Sequence, residues 1–166
     1  MTERRHYAHT LLLLGGNEGD VRSNGAFIVA ELSKFYHVER MSAWYSSPAW
    51  GFEGPDFLNA VVELSQVGDV ELLLERCLDL ELRLGRERSG SGYSNRPMDV
   101  DILYVEDLVI NSENLTVPHP KIPERRFTLV PLNEHWSERV HPVLGLTQKE
   151  LLDECKDESV VTRVDE

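Results

Sequence analysis

Phe57-Leu58-Asn59-Ala60-Val61-Val62-Glu63-Leu64-Ser65-Gln66 alternates residue by residue, and this stretch decides the fold class. Strand side chains point to opposite faces with a period of two. Leu58, Ala60, Val62 and Leu64 therefore share one face, the expected core side, and Phe57, Asn59, Val61 and Glu63 share the other. On the C-terminal side, Asp69 is placed to cap a helix whose buried stripe is Val70, Leu73, Leu74, Cys77, Leu80 and Leu84, and Gly85 supplies its left-handed stop. On the N-terminal side, His37 to Ser46 reads as one long strand rich in β-branched and aromatic residues. Before it, Asp20 caps a helix reaching about Phe35, with Val21, Gly25, Ile28, Leu32 and Phe35 at helical spacing. Thr10 to Leu14 is a continuous apolar run ending in Gly15 and Gly16, the pattern of a buried strand.

Beyond the central stretch, Met98 to Val105 reads as a strand, and Leu108 to Ile110 as a shorter one. Short helices are expected around Arg126 to Leu132 and Thr147 to Leu152. The order β-α-β-β-α-β predicts an α+β fold of the ferredoxin-like sandwich type, an antiparallel sheet with helices packed on one face.

The 166 residues suit a single domain spanning 1–166. With 41% hydrophobic and 28% charged residues, the chain has the balance of a soluble globular protein. A net charge of −12 argues against the broad basic face that nucleic acid or an anionic membrane requires, so neither is an expected partner. Arg4 and Arg5 precede Leu11 to Leu14 in the manner of a signal peptide, but the apolar run is too short and leads into Gly15-Gly16-Asn17-Glu18-Gly19-Asp20. No stretch reaches the length of a membrane span, so a cytoplasmic location is expected. Nothing marks an oligomer interface, and a monomer is the default. Cys77 and Cys155 lack metal-type spacing, and Cys77 falls on an apolar helix stripe as a small buried hydrophobe.

The chemistry concentrates in Arg96-Pro97-Met98-Asp99-Val100-Asp101-Ile102-Leu103. Asp99 and Asp101 share a strand face, where two carboxylates repel unless a counter-charge joins them; hard divalent cations supply one through oxygen ligands. The strand is too hydrophobic, on this reading, to lie at a sheet edge. Arg86, Arg88 and Arg96 lie in the glycine- and serine-rich loop immediately before. In an acidic chain, arginines beside a carboxylate pair point to a polyphosphate, which guanidinium groups bind in bidentate fashion and magnesium bridges to carboxylates. The loop composition suits a lid that excludes water. His119, fixed between Pro118 and Pro120, suits a positioned donor to phosphate, and Arg125 and Arg126 add positive charge. The remaining histidines show no zinc spacing, and Gly15-Gly16-Asn17 matches neither a Walker loop nor a dinucleotide fingerprint. Ser47 to Pro55 is a loop carrying Trp50 and Phe52, whose rings either serve a ligand or fold onto the core. These residues reach metal-assisted phosphoryl transfer; a phosphohydrolase using water and a non-catalytic anion-binding module are the competing readings.

Taken together, these segments resemble the 6-hydroxymethyl-7,8-dihydropterin pyrophosphokinases of folate biosynthesis, over roughly Thr10 to Leu132. The most specific matches are Arg96 to Leu103 and Leu115-Thr116-Val117-Pro118-His119-Pro120, supported by Ser47-Pro48 with Gly51, Asp56 to Ala60, Glu81 with Gly85-Arg86, and Gly15 to Asp20. The resemblance implies transfer of the terminal pyrophosphoryl unit of ATP to the pterin hydroxymethyl group, with release of AMP. It implies two magnesium ions on Asp99 and Asp101, and Arg86 and Arg96 as catalytic residues of a mobile loop. It places Glu81, Arg88, Arg96, Ile102, Leu115, Thr116, His119 and Arg125 around ATP. The pterin would stack between Phe57 and Phe127, with Ser47, Pro48 and Asn59 beside it and Trp50 and Tyr93 covering it. Four positions depart from the family pattern: Gly16 replaces a usual serine with little expected consequence, Tyr93 a common tryptophan, Phe57 a frequent tyrosine, and Leu78 a polar residue of some members.

Overall fold

The computed structural model describes residues 6–49, 53–85 and 96–164. Its strands are β1 (Thr10–Gly16), β2 (His37–Met41), β3 (Trp44–Ser47), β4 (Phe57–Ser65), β5 (Asp99–Val105), β6 (Ile110–Asn111), β7 (Thr116–Val117) and β8 (Thr162–Val164). Its helices are α1 (Val21–Leu32), α2 (Val70–Arg83), α3 (Arg126–His135) and α4 (Gln148–Glu154), with a 3-10 turn at Ile122–Glu124. The main sheet runs β5-β1-β4-β3-β8, with β2 also paired to β4; every pairing is antiparallel. A small hairpin pairs β6 with β7. The architecture is α+β, an antiparallel sheet with packed helices.

The caps read from the sequence are present. Asp20 accepts the Ser23 amide hydrogen at 3.0 Å, and Asp69 accepts that of Leu72 at 3.1 Å. Gly85 adopts φ +92, a conformation that a side chain disfavours. The helix expected to reach Phe35 instead ends at Leu32, in a turn where both Phe35 and Tyr36 amides bond to the Leu32 carbonyl. Phe35 is consequently exposed under the Arg76 guanidinium, 3.5 Å from its ring centre, and Tyr36 takes the buried place.

The single strand expected from His37 to Ser46 is two strands: the Ser42 amide still donates to the Val61 carbonyl on β4 at 2.8 Å, but side chains replace the other ladder bonds at Ser42 and Ala43. The Ser42 hydroxyl accepts the Val61 amide hydrogen at 2.9 Å and donates to the Ala43 carbonyl at 2.8 Å. The Ala43 amide donates to the Glu134 carboxylate at 3.0 Å, across to another layer.

Helices cover both faces of the sheet, not the one face expected. Under α1 and α2, Leu12, Leu14, Ile28, Leu32, Val62, Leu64, Leu73, Cys77, Leu80, Val100 and Ile102 form one core. Under α3 and α4, Leu11, Leu13, Val61, Leu103, Tyr104, Leu129, Leu132, Trp136 and Leu151 form a second. Glu63, on the face opposite the expected core, is buried there because Trp136 donates its indole hydrogen to it at 2.7 Å and His9 contacts it at the same distance.

β5 lies at the sheet edge, against the expectation from its hydrophobicity. Its apolar residues are tolerated because the outer edge is covered. The buried Glu81 carboxylate on α2 accepts the Val100 amide hydrogen at 2.9 Å, and the His119 amide donates to the Leu103 carbonyl at 3.0 Å. Among the described residues no helix is long and apolar enough to cross a membrane.

Candidate active site

Antiparallel pairing brings the C-terminal ends of β1 and β3 beside the N-terminal ends of β4 and β5. In register, Gly15 faces Asn59 on one side and Asp99 on the other, Leu13 faces Asp101, and Ser47 faces Phe57. Directly opposed residues in an antiparallel pair project to the same face. Asp99, Asp101, Asn59 and Phe57 are thereby displayed on the α3 face, at the end of the sheet that this helix leaves uncovered.

The resulting cleft measures about 240 Å³ and is lined by Leu13, Gly15, Ser47, Pro48, Phe57, Asn59, Arg96, Asp99, Asp101, His119, Arg125 and Phe127. Gly15 forms the floor: a Cβ there would stand 2.2 Å from the Asn59 side-chain oxygen. The Ser47 hydroxyl is buried, has no hydrogen-bond partner among the described residues and lines the cleft, a polar group available to an occupant.

Charge is concentrated at the β5 side. The Arg96 guanidinium donates to Asp99 at 2.8 Å and offsets part of the negative charge of the aspartate pair. The Arg125 guanidinium lies 5.5 Å from the Phe127 ring centre. Burial, followed by repulsion from Arg125, pushes the His119 pKa down to about 4, so at neutral pH its imidazole is uncharged. Its Nδ1 accepts the Lys121 amide hydrogen at 3.1 Å, which leaves the proton on Nε2 as a donor. His119 thus offers a hydrogen bond without adding a full positive charge.

The Gly15-Gly16-Asn17 turn, uninformative as a motif, holds Arg96 in place. Asn17 donates its amide hydrogen to the Arg96 carbonyl and accepts the Arg96 amide hydrogen on Oδ1, both at 2.9 Å. Its side-chain nitrogen donates to the Pro55 carbonyl at 3.0 Å, so one asparagine ties the arginine segment to the loop before β4. Gly16 permits this approach, since a Cβ there would stand 2.5 Å from the Pro97 carbonyl oxygen. Serine at this position would require the backbone to move, so glycine does more here than preserve a turn. Two glycines followed by asparagine were the sequence signal for this clamp, but its partner lies 79 residues away.

Ten of the candidate residues meet in the cleft: Ser47, Pro48, Phe57, Asn59, Arg96, Asp99, Asp101, His119, Arg125 and Phe127. Glu81, Ile102 and Leu115 are instead buried on the α2 side of β5, and Thr116 is exposed on β7; none of these four lines the cleft. Trp50, Arg86, Arg88 and Tyr93 lie outside the described residues.

Residues 11–137 match the family model of 7,8-dihydro-6-hydroxymethylpterin-pyrophosphokinase. The chain is 36% identical over 143 residues to a 2-amino-4-hydroxy-6-hydroxymethyldihydropteridine pyrophosphokinase of Synechocystis, covering 85% of this chain and 73% of that one. It is 35% identical over 144 residues to the Aquifex aeolicus protein described in the same words, covering 86% and 89%. Among solved structures, wild-type Plasmodium falciparum HPPK-DHPS superposes with a TM-score of 0.70 at 14% identity, a likeness of fold. The match covers 91% of this chain but 41% of the Plasmodium chain, so this chain spans less than half that length.

Proposed function

This chain belongs to the 7,8-dihydro-6-hydroxymethylpterin-pyrophosphokinase family, and from that premise we propose how its cleft carries out the transfer. The activity is an ATP-dependent diphosphotransfer to 6-hydroxymethyl-7,8-dihydropterin that yields AMP and the pterin diphosphate for folate biosynthesis. In this reaction the hydroxymethyl oxygen forms a bond to the β-phosphorus of ATP. The bond from that phosphorus to the α,β-bridging oxygen breaks, AMP leaves with the electron pair, and the hydroxyl proton is released to solvent.

One observation carries the assignment of roles: a single cleft places carboxylates, arginine and a neutral histidine donor beside two aromatic rings and an amide. Phe57 and Phe127 flank the flat acceptor, with Asn59 and the unpartnered Ser47 hydroxyl offering hydrogen bonds at its rim. Arg125 and Arg96 bind phosphate oxygens, and the Nε2 hydrogen of His119 donates to another. With little covalent work left to the protein, holding the two substrates in line supplies much of the rate. Arg86 and Arg88 act from the segment before Arg96, Trp50 and Tyr93 cover the pterin, and Glu81, Ile102, Leu115 and Thr116 serve the nucleotide from the β5–β7 side.

Asp99 and Asp101 fit a magnesium site. Among the described residues no group of three or more His, Cys, Asp or Glu is placed to hold a metal. The two carboxylates that line the cleft match magnesium, which commonly takes one or two and completes its shell with water and substrate phosphates. When bound, two such ions would neutralise phosphate charge and polarise the reacting centre. The chain is taken as one domain, and its β5-β1-β4-β3 order with α1 and α2 as crossovers supports a ferredoxin-like sandwich extended by α3, α4 and β8.

The test is to incubate the protein with ATP, magnesium and 6-hydroxymethyl-7,8-dihydropterin and to separate the nucleotides. AMP should appear in step with pterin diphosphate and only when pterin is present. ADP or free phosphate in its place would refute the reading.

A further inference from the structure

We propose that Asp157, in the C-terminal tail, is a positioning residue for the active site, holding Arg125 and Phe127 against the cleft by capping α3 from outside. The proposal rests on the functional reading above and adds a residue beyond 11–137, the stretch matched to the family.

α3 begins poorly by its own sequence. Its N-cap position is Arg125, whose side chain makes no capping hydrogen bond, and its first turn contains no acidic residue. An α-helix leaves its first amide hydrogens without internal partners, and a carboxylate is the preferred acceptor for them. Asp157 supplies one from 31 residues away: its Oδ2 accepts the Arg126 amide hydrogen at 3.0 Å. The other oxygen, Oδ1, is held by the Ser159 amide at 3.0 Å and the Ser159 hydroxyl at 2.6 Å. The carboxylate is therefore oriented before it meets the helix.

The anchored amide lies between two residues that line the cleft, the N-cap Arg125 and the first-turn Phe127. Both ends of the tail are fixed. Its start follows α4, which shares the second core with α3 through Leu151 and Leu152. Its end is β8, paired to β3 through Trp44 with Val164, Tyr45 with Arg163, and Ser46 with Thr162. β3 itself ends at Ser47, another lining residue of the cleft. The tail thus straps the helix that carries Arg125 and Phe127 to the strand that carries Ser47, with Asp157 as its contact on the helix.

A loosened α3 start displaces both a phosphate-binding side and a ring-stacking side of the cleft. The effect belongs in substrate affinity. A merely structural role would lower the fraction of folded enzyme, reducing apparent kcat while leaving KM unchanged.

The experiment compares the full-length wild type, Asp157→Ala, Asp157→Asn and Ser159→Ala in steady-state assays of pterin-dependent AMP formation, with thermal melts of each. The wild type tests the functional reading by itself: without pterin-dependent AMP, that reading fails before the variants are considered. Given wild-type activity, Asp157→Ala should raise KM for both the pterin and ATP by roughly three- to tenfold, the size of effect that follows loss of a helix cap. Asp157→Asn keeps one acceptor oxygen for the Arg126 amide but sets its NH2 against the Ser159 amide hydrogen, so it should recover only part of the affinity, while Ser159→Ala should lie closer to wild type. Unchanged KM values in Asp157→Ala, with or without a lower melting temperature, would overturn the proposal. A Ser159→Ala defect larger than that of Asp157→Ala would overturn it too, since Ser159 acts only through the Asp157 carboxylate.

Discussion

The two faces of the sheet are built differently. On the α1–α2 face, an apolar layer runs from Leu12 to Ile102 with Cys77 fully buried among its neighbours, and burial pushes that thiol up to about 12. The α3–α4 face starts the same way, with Leu11, Leu13 and Val61 as its floor, but it is laced with polar pairs such as Glu63 with Trp136 and Tyr104 with Gln148. α3 and α4 cover this face only in part, and the uncovered end is the cleft. The difference teaches that one sheet can place its stability on one side and its chemistry on the other. Strand alternation then decides which residues serve which purpose: Val100 and Ile102 go to the closed core, and Asp99 and Asp101 to the open side.

The strongest way to break this division is to cut one residue from each face. Asp101→Ala should lower kcat/KM by about a thousandfold, on the order of 4 kcal/mol of barrier, and should leave the melting temperature near wild type, since Asp101 belongs to neither apolar core. Leu73→Ala on the closed face should do the reverse. Emptying that fully buried site costs about 3 kcal/mol of stability, while the folded enzyme keeps its KM values. Urea unfolding alongside steady-state kinetics measures both. If Leu73→Ala shifts KM, or if Asp101→Ala melts well below wild type, the faces are not separable.

Much of this contrast is legible in the sequence, and the limits have physical causes. Asp20, Asp69 and Gly85 act through backbone three or four residues away, so their roles as caps and stop are visible in a short window. The aspartate pair is visible for the same reason, because strand periodicity is local. The second core is not. Val61 and Glu63 are flanked like residues of a solvated face, and the groups that cover them come from far along the chain, Trp136 lying 73 residues from Glu63. Likewise β5 reads as a central strand because its covering groups, Glu81 and His119, come from elements 15 or more residues away. The cleft residues were recognisable from family resemblance, whereas the Asn17 clamp on Arg96 needed the fold to bring two turns together.

A subtler way to sharpen the comparison is to fill the floor of the open end. Gly15→Ala places a methyl group 2.2 Å from the Asn59 side-chain oxygen. Asn59 must then turn away from the cleft or the strands must part, an overpacking cost of about 2 kcal/mol. If Asn59 yields, the cost appears as weaker pterin binding, roughly thirtyfold in Kd by calorimetry. ATP binding should change little, because the methyl group stands on the β4 side of the floor. Equal weakening of both ligands would mean that the floor is shared and that the cleft lacks separate acceptor and phosphate ends.

The smallest expected effect tests the polar ties that hold α3 to the open face. Glu134 on α3 accepts from the Tyr45 hydroxyl at 2.6 Å and from the Ala43 amide at 3.0 Å, with His135 at 2.7 Å. Burial would raise its pKa, but the Tyr45 and Ala43 hydrogen bonds together with His135 and Arg163 outweigh it and hold the carboxyl below its usual 4.5. The same burial and the adjacent carboxylate push the Tyr45 phenol up to about 12, so it remains the donor at any working pH. A carboxylate whose folded pKa lies below its unfolded one adds stability that is present above about pH 4.5 and is lost as pH falls through the folded value. Glu134→Gln should therefore cost about 1 kcal/mol at neutral pH, and the gap from wild type should close below pH 4.5. Denaturant unfolding of both proteins from pH 7 to pH 3 reads the gap directly. Curves that stay parallel through the acid limb would show that α3 is held by its apolar residues alone, making the two faces more alike than their hydrogen bonds indicate.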